Sequence, residues 1–143
     1  MARSNRQLTQ FAVDSLKRFI NNPVPLYAGD VAGNTEVRQQ TLSEGLTEYS
    51  VRLFGEEIAA IRLARRFPPA VSLSAGDFYD SKGRPSRTTR ERLNGILDFL
   101  GDEGILPVGV RVFIGEDGAC FVGKGDKAQR FDATNPFVNL EVA

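Results

Sequence analysis

The densest chemistry in the sequence is the run Arg84-Pro85-Ser86-Arg87-Thr88-Thr89-Arg90-Glu91-Arg92-Leu93-Asn94. Its arginines straddle an expected helix start, where free backbone N–H groups and the helix dipole favour an anion. The planar guanidinium fork grips phosphate bidentately. Thr88 and Thr89 add hydroxyl donors, and the Asn94 carboxamide offers a donor and an acceptor to a base or ribose edge. Arg84, Arg87, Thr88, Thr89, Arg92 and Asn94 therefore make a candidate phosphate pocket. It is not a P-loop, because the Gly-Lys-Ser/Thr arrangement is missing. A structural reading of the same residues stays open. In it Thr88 and Glu91 form a capping box, and the arginines lie on a solvated helix face. The pocket reading requires that Arg92→Ala release a ligand without unfolding the protein.

Charge is concentrated around this run. Between Arg62 and Arg92 the chain carries eight basic and three acidic residues, while the 143-residue whole balances eighteen against eighteen. Zero net charge counts against general binding to a nucleic-acid backbone, which calls for an electropositive footprint. The chain has no histidine and one cysteine, Cys120. Ser-His-Asp and Cys-His nucleophile systems, His-bearing zinc sites and an internal disulfide are thereby excluded. The remaining inventory of carboxylates, lysines, hydroxyls and arginines favours a binding protein over an enzyme, with no cofactor and no metal. No apolar run approaches the roughly 20 residues needed to span a bilayer. The polar start Met1–Arg6 predicts no secretory leader, and the scarcity of cysteine fits a reducing, intracellular setting.

Other residues carry weaker signals. Phe113 and Phe121 fall on opposite arms of an expected hairpin, and either could stack on a base or fill the core. Asp77 and Asp80 could hold a cation or pair with Lys82 and Arg84. Glu56 and Glu57 belong to Gly55-Glu56-Glu57, an expected tight connection between strands, and neighbours along an extended chain point to opposite faces, which argues against paired carboxylates. Cys120 reads as a small hydrophobe on a strand. Lys124, between two glycines, reads as part of a turn within reach of a ligand.

The elements that must position these residues follow from periodicity. Leu8, Phe11, Ala12, Leu16, Phe19 and Ile20 predict an N-terminal helix over about 9–21, ended by Pro23 and Pro25. It packs either on its own domain or on another subunit. Strands are expected at 35–40, at 47–54 (from the alternation of Thr47, Tyr49, Val51 and Leu53), at 58–63 and at 71–74. The 58–66 stretch could also be helical, since alanine and arginine favour helix. A helix capped at Thr88 buries Leu93, Ile96, Leu97 and Leu100 and ends at Gly101. Val108–Ile114 and Ala119–Val122 flank Gly115-Glu116-Asp117-Gly118, a hairpin. The expectation is an α+β fold: an antiparallel sheet of a meander and a late hairpin, one capped helix, and an N-terminal assembly helix. Residues 1–25 form that helix and its linker, and residues 26–143 a single domain.

Gly33-Asn34-Thr35, Leu53-Phe54-Gly55-Glu56-Glu57-Ile58-Ala59, Leu73-Ser74 and Arg87–Asn94 together resemble a group of small bacteriophage accessory proteins. That group has a GNT start, a hydrophobic-Gly-x-x-Ile-Ala hairpin and a T-T-x-x-R-L-N helix start. It is similar to the anti-Thoeris sponge proteins, which sequester a cyclic ADP-ribose isomer made by bacterial defence enzymes without cleaving it. The resemblance covers about residues 33–123, and Thr88-Thr89-x-x-Arg92-Leu93-Asn94 is its most specific part. It implies a phage-encoded, non-catalytic protein of the host cytoplasm. Such a protein would be a homo-oligomer that holds a cyclic nucleotide at sites shared between subunits. It carries the ligand-binding role onto Thr88, Thr89, Arg92 and Asn94, with Phe113 or Phe121 as the aromatic. Arg84 follows Gly83 where the group has an aromatic, and the N-terminal helix is an addition. The alternatives are a phage protein–protein interaction module (a virion component or a host inhibitor) and a nucleic-acid-binding module.

Overall fold

The computed structural model of the protein describes residues 35–43, 45–64 and 67–142. The helix expected at 9–21, its linker and the Gly33-Asn34 pair lie outside the described residues.

Four consecutive antiparallel strands form a meander: β1 (Thr35–Ser43), β2 (Leu46–Leu53), β3 (Glu56–Ala64) and β4 (Ala70–Ser74). β8 (Phe137–Leu140) returns to pair with β4, which gives a five-stranded sheet in the order β1-β2-β3-β4-β8. β3 is strand throughout, and the helical alternative for 58–66 does not hold over 58–64. Pairing on both flanks, with β2 and with β4, overrides the helix preference of its alanines. The turn between β2 and β3 lies at Phe54-Gly55, one residue earlier than expected, with φ of 51° and 83°. Two consecutive positive φ values make the I′ turn that suits a two-residue hairpin. On the inner face, Tyr49, Val51, Ile61, Val71, Leu73 and Val138 are buried.

One helix, α1 (Arg87–Asp102), lies against that face through Leu93, Ile96, Leu97 and Leu100, all at most 1% exposed. Each such side chain contributes about 1.5–3 kcal/mol by leaving water. Its C-terminus lies beyond the expected Gly101. The chain turns at Gly104, φ 77°, where Ile105 N–H donates to Leu100 O and Gly104 N–H to Gly101 O. This paired pattern is the Schellman motif, and it needs the left-handed residue at Gly104. Gly101 lies within the helix, buried beside the backbone of Pro107 and Val108.

The late hairpin comprises β5 (Arg111–Ile114) and β6 (Cys120–Gly123), and β7 (Gln129–Arg130) adds a third strand after a short 3-10 turn at Gly125–Lys127. The loop Gly115–Gly118 closes with Gly118 at φ 84°. Val112, Cys120 and Val122 face inward and complete the core with Phe131. The result is α+β: two antiparallel sheets and one capped helix around one core. Among the described residues no helix is long and apolar enough to cross a membrane.

Candidate functional site

The helix start is built differently from the sequence expectation. Ser86, not Thr88, is the N-cap. Its Oγ accepts the Thr89 N–H at 3.2 Å and lies 2.9 Å from Thr89 Oγ1. A Ser-x-x-Thr spacing at 86–89 competes with the Thr-x-x-Glu spacing at 88–91, and the former wins. Asp80 organises the approach to this cap. Its Oδ1 accepts the N–H groups of Lys82 and Arg84, and its Oδ2 pairs with Arg84 Nε at 2.7 Å. Burial pushes the Asp80 carboxyl pKa up, but the Arg84 and Lys82 hydrogen bonds outweigh that and hold it below the usual carboxylate range. Of the two uses open to Asp80, ion pairing with Arg84 is the one formed.

The six pocket residues do not converge. Arg87 projects into water, 85% exposed, and pairs with Glu91 one turn on at 2.9 Å. Arg92, by contrast, is fully buried. Five residues apart, the two are roughly 140° apart on the helix wheel. Arg92 falls on the same stripe as Thr89, Leu93 and Ile96, a spacing already visible in the sequence. Thr89 is buried at the cap, and Thr88 is half-buried beside it. Arg84 continues to the turn of the late hairpin, where Nη1 donates to Gly118 O at 3.4 Å. Arg90 donates through Nε to Pro85 O.

Asn94 has a structural partner. Val112 N–H donates to Asn94 Oδ1 at 2.7 Å, and Asn94 Nδ2 donates to Val112 O at 3.0 Å. β5 is an edge strand, so Val112 turns its backbone pair toward the free edge, and the carboxamide meets it as a neighbouring strand would. Asn94 thus reads a peptide group where a base edge was expected. Ser86 and Thr89 cap the helix, Leu93 fills the core and Asn94 seals the small sheet. Thr89, Leu93 and Asn94 of the T-T-x-x-R-L-N run are accordingly occupied by work on the fold, and Arg92 is buried. Clefts of about 750, 510 and 300 Å3 on described residues are lined by residues other than the eight candidates.

Phe113 and Phe121 are brought together. They are cross-strand partners with ring centroids 5.7 Å apart and planes 25° from parallel. Neither fills the core: Phe113 is 39% exposed and Phe121 half-buried, while Val112 and Val122 take the inward positions. Arg130 of β7 lies opposite Phe121 in register, and Arg111 precedes Phe113 by two residues on the same face. The outer face of the small sheet thus carries two stacked rings, with Arg130 in register beside Phe121 and Arg111 two residues before Phe113 on β5. Arg111 pairs with Asp98 at 2.8 Å and Arg130 with Asp132 at 3.0 Å. The N–H of Asn135, the Arg130 side chain and the N–H of Thr134 hold the Asp132 carboxyl below its usual pKa range, against burial. Arg111 and Arg130 escaped the sequence reading. Alternation from Phe113 could have found Arg111. Nothing local marks Arg130, because its register is set by a two-residue strand behind a 3-10 turn.

The remaining candidates have plain roles. Cys120 faces the core, and burial pushes its thiol pKa up against the charges of Arg90 and Arg84. Lys124 Nζ donates to Val108 O. Among the described residues no three histidine, cysteine or carboxylate side chains are grouped to hold a metal ion. No family model matches the chain, and comparisons with curated proteins and with solved structures return no significant match.

Proposed function

We propose that this protein is a non-catalytic nucleotide-binding protein whose ligand surface is the outer face of the small sheet, centred on Phe113 and Phe121. The observation that carries the reading is the solvent-facing Phe113–Phe121 stack with Arg130 in register beside it. A base laid on an exposed ring gains about 1–3 kcal/mol by stacking. A phosphate beside it meets an arginine that spends Nε on Asp132 and keeps the rest of its fork. The resemblance supplies the setting: a phage-encoded homo-oligomer in the host cytoplasm that sequesters a cyclic nucleotide immune signal, a cyclic ADP-ribose isomer or a related cyclic nucleotide.

Holding without cleaving suits the inventory. The chain has no histidine, and Glu48, Asp80, Glu91, Asp98 and Asp132 are each engaged by an arginine. Native mass spectrometry against a panel of cyclic nucleotides tests the proposal. The expected result is a retained ligand that is recovered intact after heat denaturation and lost in Phe113→Ala. Recovery of a hydrolysed product, or no retained mass, overturns it. A protein-binding role draws on another set, the exposed Phe54, Phe67 and Phe137. It would be favoured by a Phe137→Ser variant that loses a partner while nucleotide binding is absent in the parent.

A further inference from the structure

Resting on that reading, we infer that the outer face of the small sheet selects nucleotides whose phosphates are separated by a whole nucleoside, the phosphodiester-linked class, over nucleotides joined through a pyrophosphate. The argument is the spacing of its two arginine positions along and across the strands. Arg111 and Arg130 stand at opposite corners of the aromatic pair. Two residues along β5 and two strand spacings across the sheet put their Cα atoms about 12 Å apart. Phe113 and Phe121 lie between them. In a pyrophosphate, two phosphorus atoms share one bridging oxygen. Such a compact dianion can sit at one corner and leaves the other arginine without a phosphate. A nucleotide linked by phosphodiesters places sugar and base between successive phosphates. Its bases would cover the rings while its phosphates reach both ends.

The arginines are positioned for such an exchange. Arg111 donates through Nη1 alone to both oxygens of Asp98, and the two side chains are half exposed, so the pair is weak and easily exchanged. Asp132 is different, since the N–H groups of Thr134 and Asn135 anchor it. It fixes Arg130 beside Phe121 rather than competing with the ligand. Asp98 is therefore the carboxylate that opposes binding, and it sets how strongly the second phosphate is taken.

Calorimetry with three probes tests this: cyclic di-AMP, a short oligothymidylate and cyclic ADP-ribose. The expected result is that cyclic di-AMP, the oligonucleotide, or both bind at least tenfold tighter than cyclic ADP-ribose. That affinity should fall about tenfold in Arg111→Gln and in Arg130→Gln, and rise severalfold in Asp98→Asn. Which of the two binds separates a cyclic from a linear source of the same chemistry. If cyclic ADP-ribose binds tightest and depends on Phe113, the spacing argument is overturned while the binding surface stands. If no probe binds, or binding ignores Phe113→Ala and both arginine variants, the surface fails together with the inference.

Discussion

Replacing Asn94 with alanine should weaken the fold and leave intact any ligand affinity of the protein that remains folded. The substitution removes the 3.0 and 2.7 Å hydrogen bonds to Val112. Each such bond is worth about 0.5–1.5 kcal/mol net, and a backbone group left unsatisfied costs about 1–3 kcal/mol. Val112 is 4% exposed, so water reaches its N–H and C=O poorly. Because relaxation of the edge recovers part of this, the expected loss is about 2–4 kcal/mol. Urea denaturation followed by far-ultraviolet circular dichroism reads it as a lower midpoint at unchanged slope. Asn94→Asp keeps the acceptor for Val112 N–H but sets a carboxylate oxygen against Val112 O, so it should do no better than alanine. A midpoint that scarcely moves, with ligand affinity lost, would refute the edge-sealing role and return Asn94 to the ligand.

Three further outcomes follow from the same geometry. Arg92→Ala empties a fully buried side-chain volume and should cost about 3 kcal/mol or more, whereas Arg87→Ala on its exposed face should cost less than about 0.5 kcal/mol; thermal melts of the two distinguish them. Gly123→Ala sets a Cβ 2.7 Å from Ala128 Cα at φ 139° and should destabilise by about 1–3 kcal/mol, read by the same melts. The folded-state pKa values of Asp80 and Asp132 lie below the unfolded ones, so their stabilisation is complete above the ordinary aspartate range. It is lost as pH falls through the lowered values. Acid titration of urea stability should therefore show Asp80→Asn weaker than the parent at neutral pH and converging with it in acid.

Much of the fold is legible in the residues themselves. Tyr49, Val51 and Leu53 alternate because one sheet face is buried, and Leu93, Ile96, Leu97 and Leu100 recur because a helix shows one stripe to a core. The hairpin at Gly115–Gly118 is equally local, since a left-handed residue at Gly118 is affordable only to glycine or a few polar side chains. Arg92 could have been read the same way, as a member of the Leu93 stripe. The second sheet's third strand and the return of β8 to β4 carry no comparable signal, being too short for a period to show.

Local spacing thus determined most of the elements, β7 and β8 aside, and which face of each is apolar. Tertiary structure decided what the polar side chains that bridge separate elements are for. The partner of Asn94 lies 18 residues away and becomes a partner only when β5 is left at a sheet edge. Phe113, Phe121 and Arg130 meet through register between strands, and Arg87 and Arg92 part through rotation about one axis. Hydrophobic burial acts on any apolar atom and so leaves a repeating trace along the chain. Hydrogen bonds and ion pairs are directional and short, and their identity is settled only where separate elements come into contact.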